Sequence, residues 1–119
     1  MLFKETPLSG SYLIDLEFIK DDRGFFSRLY CNKDFNELNI NYDWRQVNNS
    51  LSLKKGTLRG PHIQCQPNPE AKLVRCINGK IWDVIIDLRL KSETFGSWFG
   101  FELSSKSNLS VLARGLISE

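Results

Sequence analysis

Short apolar segments separated by polar clusters run along most of this chain, and they recur at intervals of about ten residues. The segments are rich in Val, Ile, Phe, Tyr and Trp, whereas the clusters contain Gly, Asn, Asp, Ser and Lys. This rhythm predicts an all-β sandwich or barrel. The predicted strands are Tyr12–Ile19, Phe25–Tyr30, Gln46–Ser52, Gly56–Gly60, Lys72–Ile77, Lys80–Leu90, Gly96–Leu103 and Leu109–Leu112. One helix is predicted over Lys33–Leu38, with Asn32 as its N-cap.

The segment Lys80–Leu90 shows the clearest strand alternation. One face carries Trp82, Val84, Ile86 and Leu88, and the other carries Asp83, Ile85, Asp87 and Arg89. We expect the first face to pack in the core and the second to line a polar space. The Asn78-Gly79 pair before this segment predicts a tight hairpin turn.

Composition limits the classes of protein to which this chain can belong. Its 119 residues, 41% hydrophobic and 25% charged, are expected to form one ordinary globular domain. The formal net charge of +2, with no basic or acidic tail, predicts neither a nucleic-acid nor a membrane partner. The apolar stretches are too short to span a bilayer, and the N-terminus does not read as a signal peptide, so we expect a cytoplasmic protein.

The cysteines and the single histidine predict that the protein holds no metal ion, and no cofactor of another kind is expected. Cys31, Cys65 and Cys76 form no C-x-x-C pair, and an odd count argues against a disulfide framework. We therefore expect reduced, buried thiols. One histidine without a second His or a Cys pair leaves too few nitrogen or sulfur ligands for zinc or iron.

The strongest candidate for chemistry is that histidine, His62. It follows Arg59 and the pair Gly60-Pro61, which could form a bulge that turns both side chains inward. A neutral imidazole suits a general base near pH 7. A lone histidine is also often only structural.

Other candidates are cations and amides. The chain contains no glycine-rich phosphate loop, so a bound phosphate would have to be held by cations such as Arg23, Arg59 and Lys72, although each of them taken singly is more often a surface charge. Gln46 and Asn48 share a strand face and could form a polar patch in a cavity. An exposed edge strand explains the same two residues equally well.

Several motifs together resemble the dTDP-4-dehydrorhamnose 3,5-epimerase family. The R-G-x-H-x-Q, A-K-L-V-R and D-V-x-x-D-x-R patterns occur in the family's order and spacing. The resemblance covers roughly residues 3 to 112. The matching segments are Asp22–Phe26, Gln46–Ser50, Gly56–Gln64, Ala71–Arg75, Gly79–Arg89 and Ser92–Phe99.

The resemblance implies a cupin-type jelly-roll barrel, a homodimer, no metal, and action on a dTDP-linked 4-keto-6-deoxy sugar. It also implies roles for individual residues. By resemblance, His62 would be the proton acceptor, and Lys72 and Arg59 would contact the substrate. Arg23, Gln46 and Asn48 would hold the nucleotide diphosphate.

The chain departs from the family pattern near its C-terminus. The family's proton-donating tyrosine, and the aspartate that orients the histidine, belong to a portion without a counterpart here, so the barrel is expected to be incomplete. Arg28 replaces a glutamate, and Ala113 and Ser118 replace a proline and a histidine of the family. A non-catalytic dTDP-sugar-binding or subunit-pairing relative is therefore the second hypothesis, and a dTDP-sugar 3,4-ketoisomerase is the third. A second copy is expected to cover the open barrel.

Overall fold

The computed structural model describes residues 1–64, 70–107, 109–114 and 116–118. These residues form mainly strands, with one short helix, so the all-β prediction is confirmed. None of the described helices is long and apolar enough to cross a membrane. In chain order the elements are β1 (Leu2–Glu5), β2 (Tyr12–Asp15), β3 (Phe18–Asp21), β4 (Gly24–Ser27), α1 (Asn32–Glu37), β5 (Ala71–Arg75), β6 (Lys80–Asp87), β7 (Trp98–Ser104), β8 (Leu109–Arg114) and β9 (Leu116–Ser118).

The strands form three antiparallel sheets. The first has the order β1-β2-β8-β5, so β8 joins the N-terminal strands to β5. The second is the hairpin β3-β4, and the third has the order β7-β6-β9. Because β8 and β9 lie in different sheets, the C-terminal strands link the two larger sheets along the chain.

Two apolar clusters stabilise this arrangement. One contains Leu8, Cys76, Ile85, Phe101 and Leu103, and the other contains Ile14, Leu16, Phe35 and Ile40. Cys31 and Cys76 are free thiols, and only Cys76 is buried. Cys65 lies outside the described residues.

The single predicted strand Tyr12–Ile19 is wrong, because two strands occupy this region. β2 ends at Asp15 and β3 begins at Phe18, and Leu16 between them is buried in the second cluster. β2 pairs with β8, whereas β3 pairs with β4. The chain therefore changes sheet at a point where the apolar pattern continues without interruption.

The predicted hairpin at Asn78-Gly79 is also wrong. Gly79 has the positive φ of +77° that such a turn needs. However, β5 pairs with β8 and β6 pairs with β7 and β9, so the strands flanking this turn lie in different sheets. The turn at Asn78-Gly79 forms locally, but the partners of β5 and β6 are strands that lie further along the chain.

The helix begins one residue earlier than predicted. Its N-cap is Cys31, in an extended conformation, and not Asn32, and no side chain caps the first turn. The helix is held by its apolar side instead, because Phe35 is completely buried and its ring packs edge-on against Phe3.

The predicted orientation of β6 is reversed. The buried residues are Asp83, Ile85 and Asp87, whereas Trp82 is 65% exposed. A carboxylate can be buried when its charge is paired and hydrogen-bonded. Asp87 satisfies this condition through Arg89, which allows the face that carries Ile85 to join the core.

The strands predicted over Gln46–Ser52 and Gly56–Gly60 are absent. Residues 45–60, which we call the open segment, contain no strand or helix. Val47, Leu53 and Leu58 are 98%, 89% and 89% exposed. A strand needs a neighbour for its N–H and C=O groups, and no described strand pairs with this segment.

Candidate functional site

Lys72 is the candidate residue that the sheet fixes most firmly. It lies in β5, where it is opposite Ala113 of β8. Its side chain is 27% exposed, and its ammonium lies 3.6 Å from a carboxylate oxygen of Glu70. A half-buried ammonium with one loose carboxylate partner keeps donors available for a further anionic group.

Arg59 folds back on the open segment. Its Nε donates a hydrogen bond to the Ser52 hydroxyl at 3.0 Å, and a terminal guanidinium nitrogen donates to the Leu51 carbonyl at 2.9 Å. These bonds close a loop of the segment upon itself. The side chain stays at the surface, so the guanidinium is accessible to a ligand.

The prediction that a bulge turns Arg59 and His62 inward is wrong. Both side chains are exposed, and His62 lies in an isolated β-bridge rather than in a strand. Gly60 has a φ of +81°, and the peptide bond to Pro61 is cis. Because no described strand runs along the open segment, a change of direction at Gly60 does not aim these side chains into a barrel.

Gln46 and Asn48 also lie in the open segment, and both are exposed. No strand gives them a common face, so the structure does not form the predicted polar patch there. Their exposure agrees with the simpler alternative of a surface position, although the edge strand that this alternative assumed is not formed.

Arg23 lies in the turn between β3 and β4. Its backbone N–H and its guanidinium both donate to Asp21, at 2.8 Å for the backbone and 2.6 Å for the closest guanidinium bond. These hydrogen bonds, led by the guanidinium, hold the pKa of Asp21 below its ordinary value. Arg23, Phe25 and Phe26 line a shallow groove at the hairpin, where Arg23 remains 87% exposed.

The predicted site residues are therefore distributed over three parts of the structure. Arg23 is on the hairpin, Lys72 is on β5, and the remaining candidates are on the open segment or just after it: Gln46, Asn48, Arg59 and His62. Within the described residues, no group of three or more His, Cys, Asp or Glu side chains could hold a metal ion.

Sequence reasoning missed a buried polar network at the end of β6. The Asp87 carboxylate accepts two guanidinium hydrogen bonds from Arg89, at 2.9 and 2.8 Å, and one each from the hydroxyls of Ser92 and Thr94, both at 2.6 Å. The Arg89 guanidinium in particular holds the pKa of Asp87 far below its ordinary range, against the opposing effect of burial. The same Asp-x-Arg spacing occurs at Asp21 and Arg23 and at Asp43 and Arg45, where it also forms ion pairs, and this repeated spacing was the signal available in the sequence.

The family whose sequence model matches this chain is described as dTDP-4-dehydrorhamnose 3,5-epimerase, and the match runs from residue 5 to residue 116. The chain belongs to the dTDP-4-dehydrorhamnose 3,5-epimerase family. Two curated relatives carry that name. The protein from Methanothermobacter thermautotrophicus is 40% identical over 88% of this chain and 56% of its own length. The protein from Shigella flexneri is 38% identical over 87% of this chain and 57% of its own length.

Solved structures of the epimerase family share the fold. A dTDP-4-dehydrorhamnose 3,5-epimerase from Elizabethkingia anophelis matches 99% of this chain and 65% of its own, with a TM-score of 0.93 and 42% identity. The one from Bacillus anthracis, solved with TDP and PPi bound, matches 98% of this chain and 67% of its own, with a TM-score of 0.93 and 36% identity. The predicted cupin-type jelly-roll fold is thus confirmed.

The match to the epimerase family covers nearly all of this chain but not all of its relatives. The chain spans a little over half the length of the curated relatives above. The family and the fold are therefore established, and the activity of a whole epimerase is a separate question for this chain.

Proposed function

We propose that this protein acts on a dTDP-linked 4-keto-6-deoxy sugar as a dTDP-4-dehydrorhamnose 3,5-epimerase-like isomerase. The observation that carries the proposal is the family match over residues 5 to 116, which includes His62 and Lys72 in their motifs. No metal or cofactor is required, because the reaction moves only protons.

The chemistry begins at a carbon next to the ketone. The hydrogens on C3 and C5 are acidic because their removal leaves an enolate that is shared with the C4 carbonyl. His62 takes one of these protons as the general base. Lys72, half-buried on β5, stabilises the negative oxygen, with Arg59 as the second cation. A water molecule then delivers a proton to the opposite face of the carbon, which inverts that centre, and the hydroxide that remains takes up the proton that His62 removed.

Arg23, Gln46 and Asn48 are proposed to hold the nucleotide diphosphate. Arg23 supports this role because its guanidinium is exposed beside Phe25 and Phe26. The Bacillus anthracis relative was solved with TDP and PPi, ligands that carry the same diphosphate chemistry. In this chain a diphosphate would compete with Asp21 for the Arg23 guanidinium.

A second function remains in competition: binding of a dTDP-sugar, or pairing with another subunit, without turnover. The exposure of Arg59 and His62 favours it. A general base must lie within hydrogen-bond reach of the proton that it removes, and catalysis needs that geometry to be fixed.

The assembly and the compartment stay predictions. We propose a homodimer, as the resemblance implies, and the cytoplasm as the site of action. The open segment exposes apolar side chains, and the described sheets have edge strands. Proteins normally cover such surfaces, so both features support a second subunit as partner.

Solvent deuterium incorporation at C3 and C5 of dTDP-4-keto-6-deoxyglucose, followed by NMR, tests the function. We expect exchange that falls about 100-fold or more in His62→Ala, the usual contribution of a general base. Exchange at both carbons would indicate double epimerisation, and exchange at one carbon would indicate single epimerisation. Lys72→Ala should also slow exchange, whereas Lys4→Ala, which removes a strand lysine ion-paired with Asp15, should not.

The negative outcomes separate the two functions. No exchange above the His62→Ala background, with dTDP still raising the melting temperature, would indicate the binding protein. No exchange and no thermal shift with dTDP would contradict both functions.

A further inference from the structure

Asp83 is a buried carboxylate that the proposed reaction does not yet use. It lies in β6, is 1% exposed, and is directly opposite Phe101 of β7. Phe101 belongs to the first apolar cluster, as does Ile85, two residues beyond Asp83. Placing a carboxylate beside an apolar cluster costs free energy. A titratable group kept in such a position is a candidate for a role in a functional site.

Lys72 lies on the opposite side of the same interior. Val74 of β5 packs against the first apolar cluster, and Lys72, two residues earlier, shares the Val74 face of its strand. Asp83 shares the Ile85 face of β6 in the same way. The first and third sheets therefore face each other across this cluster. Facing sheets lie about 10 Å apart, and the charge of a lysine is carried on a long flexible stem, so an ammonium from one sheet can reach a carboxylate on the other.

One exposed and one buried carboxylate are therefore available to Lys72. The exposed one is Glu70, whose side chain is 46% exposed and whose carboxylate oxygen lies 3.6 Å from the ammonium. That distance is longer than the usual N–H···O hydrogen bond, so this pair is loose. The buried one is Asp83. An ammonium has three N–H donors and a flexible stem, so it can turn from one carboxylate to the other.

We propose that Asp83 is a positioning residue for Lys72. With the 4-keto sugar bound, the Lys72 ammonium turns from Glu70 into the interior, where it donates one hydrogen bond to the Asp83 carboxylate and another to the C4 oxygen of the sugar. This inference rests on the proposed function and adds the residue that fixes the cation of that reaction. Enolate stabilisation needs a cation that is already held beside the oxygen on which negative charge develops. A buried carboxylate holds it better than an exposed one, because water competes less for the ammonium.

Deuterium exchange at C3 and C5 of the sugar tests this role with two matched variants. Asp83→Asn and Glu70→Gln each replace one of the two carboxylates by an amide of the same shape. We expect Asp83→Asn to slow exchange by about 10-fold or more, whereas Glu70→Gln should not slow it. Exchange that Asp83→Asn slows no more than Glu70→Gln does would overturn the inference.

A third variant, Lys72→Met, separates positioning from support of the fold. Because Asp83 acts through the Lys72 ammonium, Asp83→Asn should cause no further loss of exchange in a chain that already carries Lys72→Met. A loss of equal size with and without Lys72 would mean that Asp83 only supports the fold. An unmodified chain that exchanges no deuterium at all would contradict the proposed function itself, so the two failures are distinguishable.

NMR of the unmodified, isotope-labelled chain gives a readout that needs neither turnover nor a folded variant. With dTDP-4-keto-6-deoxyglucose present in excess, a scalar coupling across the hydrogen bond should link the Lys72 Nζ to the carboxylate carbon of Asp83. A coupling to the Glu70 carboxylate in its place, or no coupling to Asp83, would overturn the inference even if the chain exchanges deuterium.

Discussion

The buried Asp87 carboxylate should be one of the most sensitive positions for stability. Its residue is completely buried, and its two oxygens accept hydrogen bonds from the Arg89 guanidinium, the Arg89 backbone N–H, and the Ser92 and Thr94 hydroxyls. Asp87→Asn keeps the shape of the side chain, removes its charge, and turns an NH₂ group toward these donors. The Arg89 charge then loses its partner at a site where 33% of its side chain is exposed.

The expected loss is about 3 kcal/mol in the free energy of unfolding. Breaking a buried ion pair by removing one partner costs about 3–5 kcal/mol, and we take the lower end because water can reach part of Arg89. For a domain whose total stability is about 5–15 kcal/mol, this is a large fraction. The chain supplies a matched control in Asp21→Asn. Asp21 bonds Arg23 with the same spacing, but at the surface, so its loss should not change stability measurably.

Urea unfolding followed by circular dichroism at neutral pH measures both variants. The pKa of Asp87 is lower in the folded state than in the unfolded state, so its stabilisation is complete above the unfolded-state pKa of about 3.9. It is lost as the pH falls through that value toward the folded-state pKa. The difference between the unmodified chain and Asp87→Asn should therefore shrink in acid. If Asp87→Asn were as stable as Asp21→Asn at neutral pH, the network would not stabilise the fold.

Two further predictions concern packing. Gly100→Ala should displace the Trp82 indole and alter the near-ultraviolet circular dichroism while the far-ultraviolet spectrum is kept; an unchanged near-ultraviolet spectrum would mean that the ring does not rest on Gly100. Phe35→Ala should cost about 3–5 kcal/mol in urea unfolding because the ring is completely buried, whereas Phe26→Ala, at a 63% exposed ring, should cost much less, and equal losses would contradict the assigned core.

The sequence predicted most reliably those strands whose apolar pattern and boundaries are both local. The ends of β5, β6 and β7 lie within three residues of the predicted ends, because glycine and polar clusters interrupt the chain on both sides. β1 was missed since it has only four residues and is held by pairing with β2. Pairing between distant strands leaves little trace in a local pattern.

The sequence could not predict which face of β6 is buried. Both faces carry apolar side chains, and counting them favoured the face with Trp82 and Val84. The outcome depends on Arg89, Ser92 and Thr94, which satisfy the Asp87 carboxylate and make its burial possible. A pattern of hydrophobic and polar positions treats this aspartate as a surface residue, because it contains no information on hydrogen bonding.

The sequence predicts which residues belong to the candidate site but not how they are arranged in space. The reason is again that strand positions depend on pairing with distant parts of the chain. Lys72 is fixed because β5 pairs with β8, about forty residues further along the chain. The open segment has the alternating pattern of a strand, from Gln46 to Leu53, without a described strand to pair with. The pattern of a strand is therefore not enough to form one, because a partner strand must also be present.

This difference between Lys72 and His62 bears directly on the proposed reaction. Proton removal and enolate stabilisation act on the same sugar ring, so the base and the cation must be held within hydrogen-bond reach of adjacent atoms. The proposed cation is held by a sheet, whereas the proposed base follows a segment that pairs with no described strand. A ligand that contacts both residues in the proposed reaction must therefore fit the position in which the open segment leaves His62 as well as the position that β5 gives Lys72. In the proposed reaction, the position of His62 relative to Lys72, and not only the identity of the base, should therefore set the rate of proton exchange.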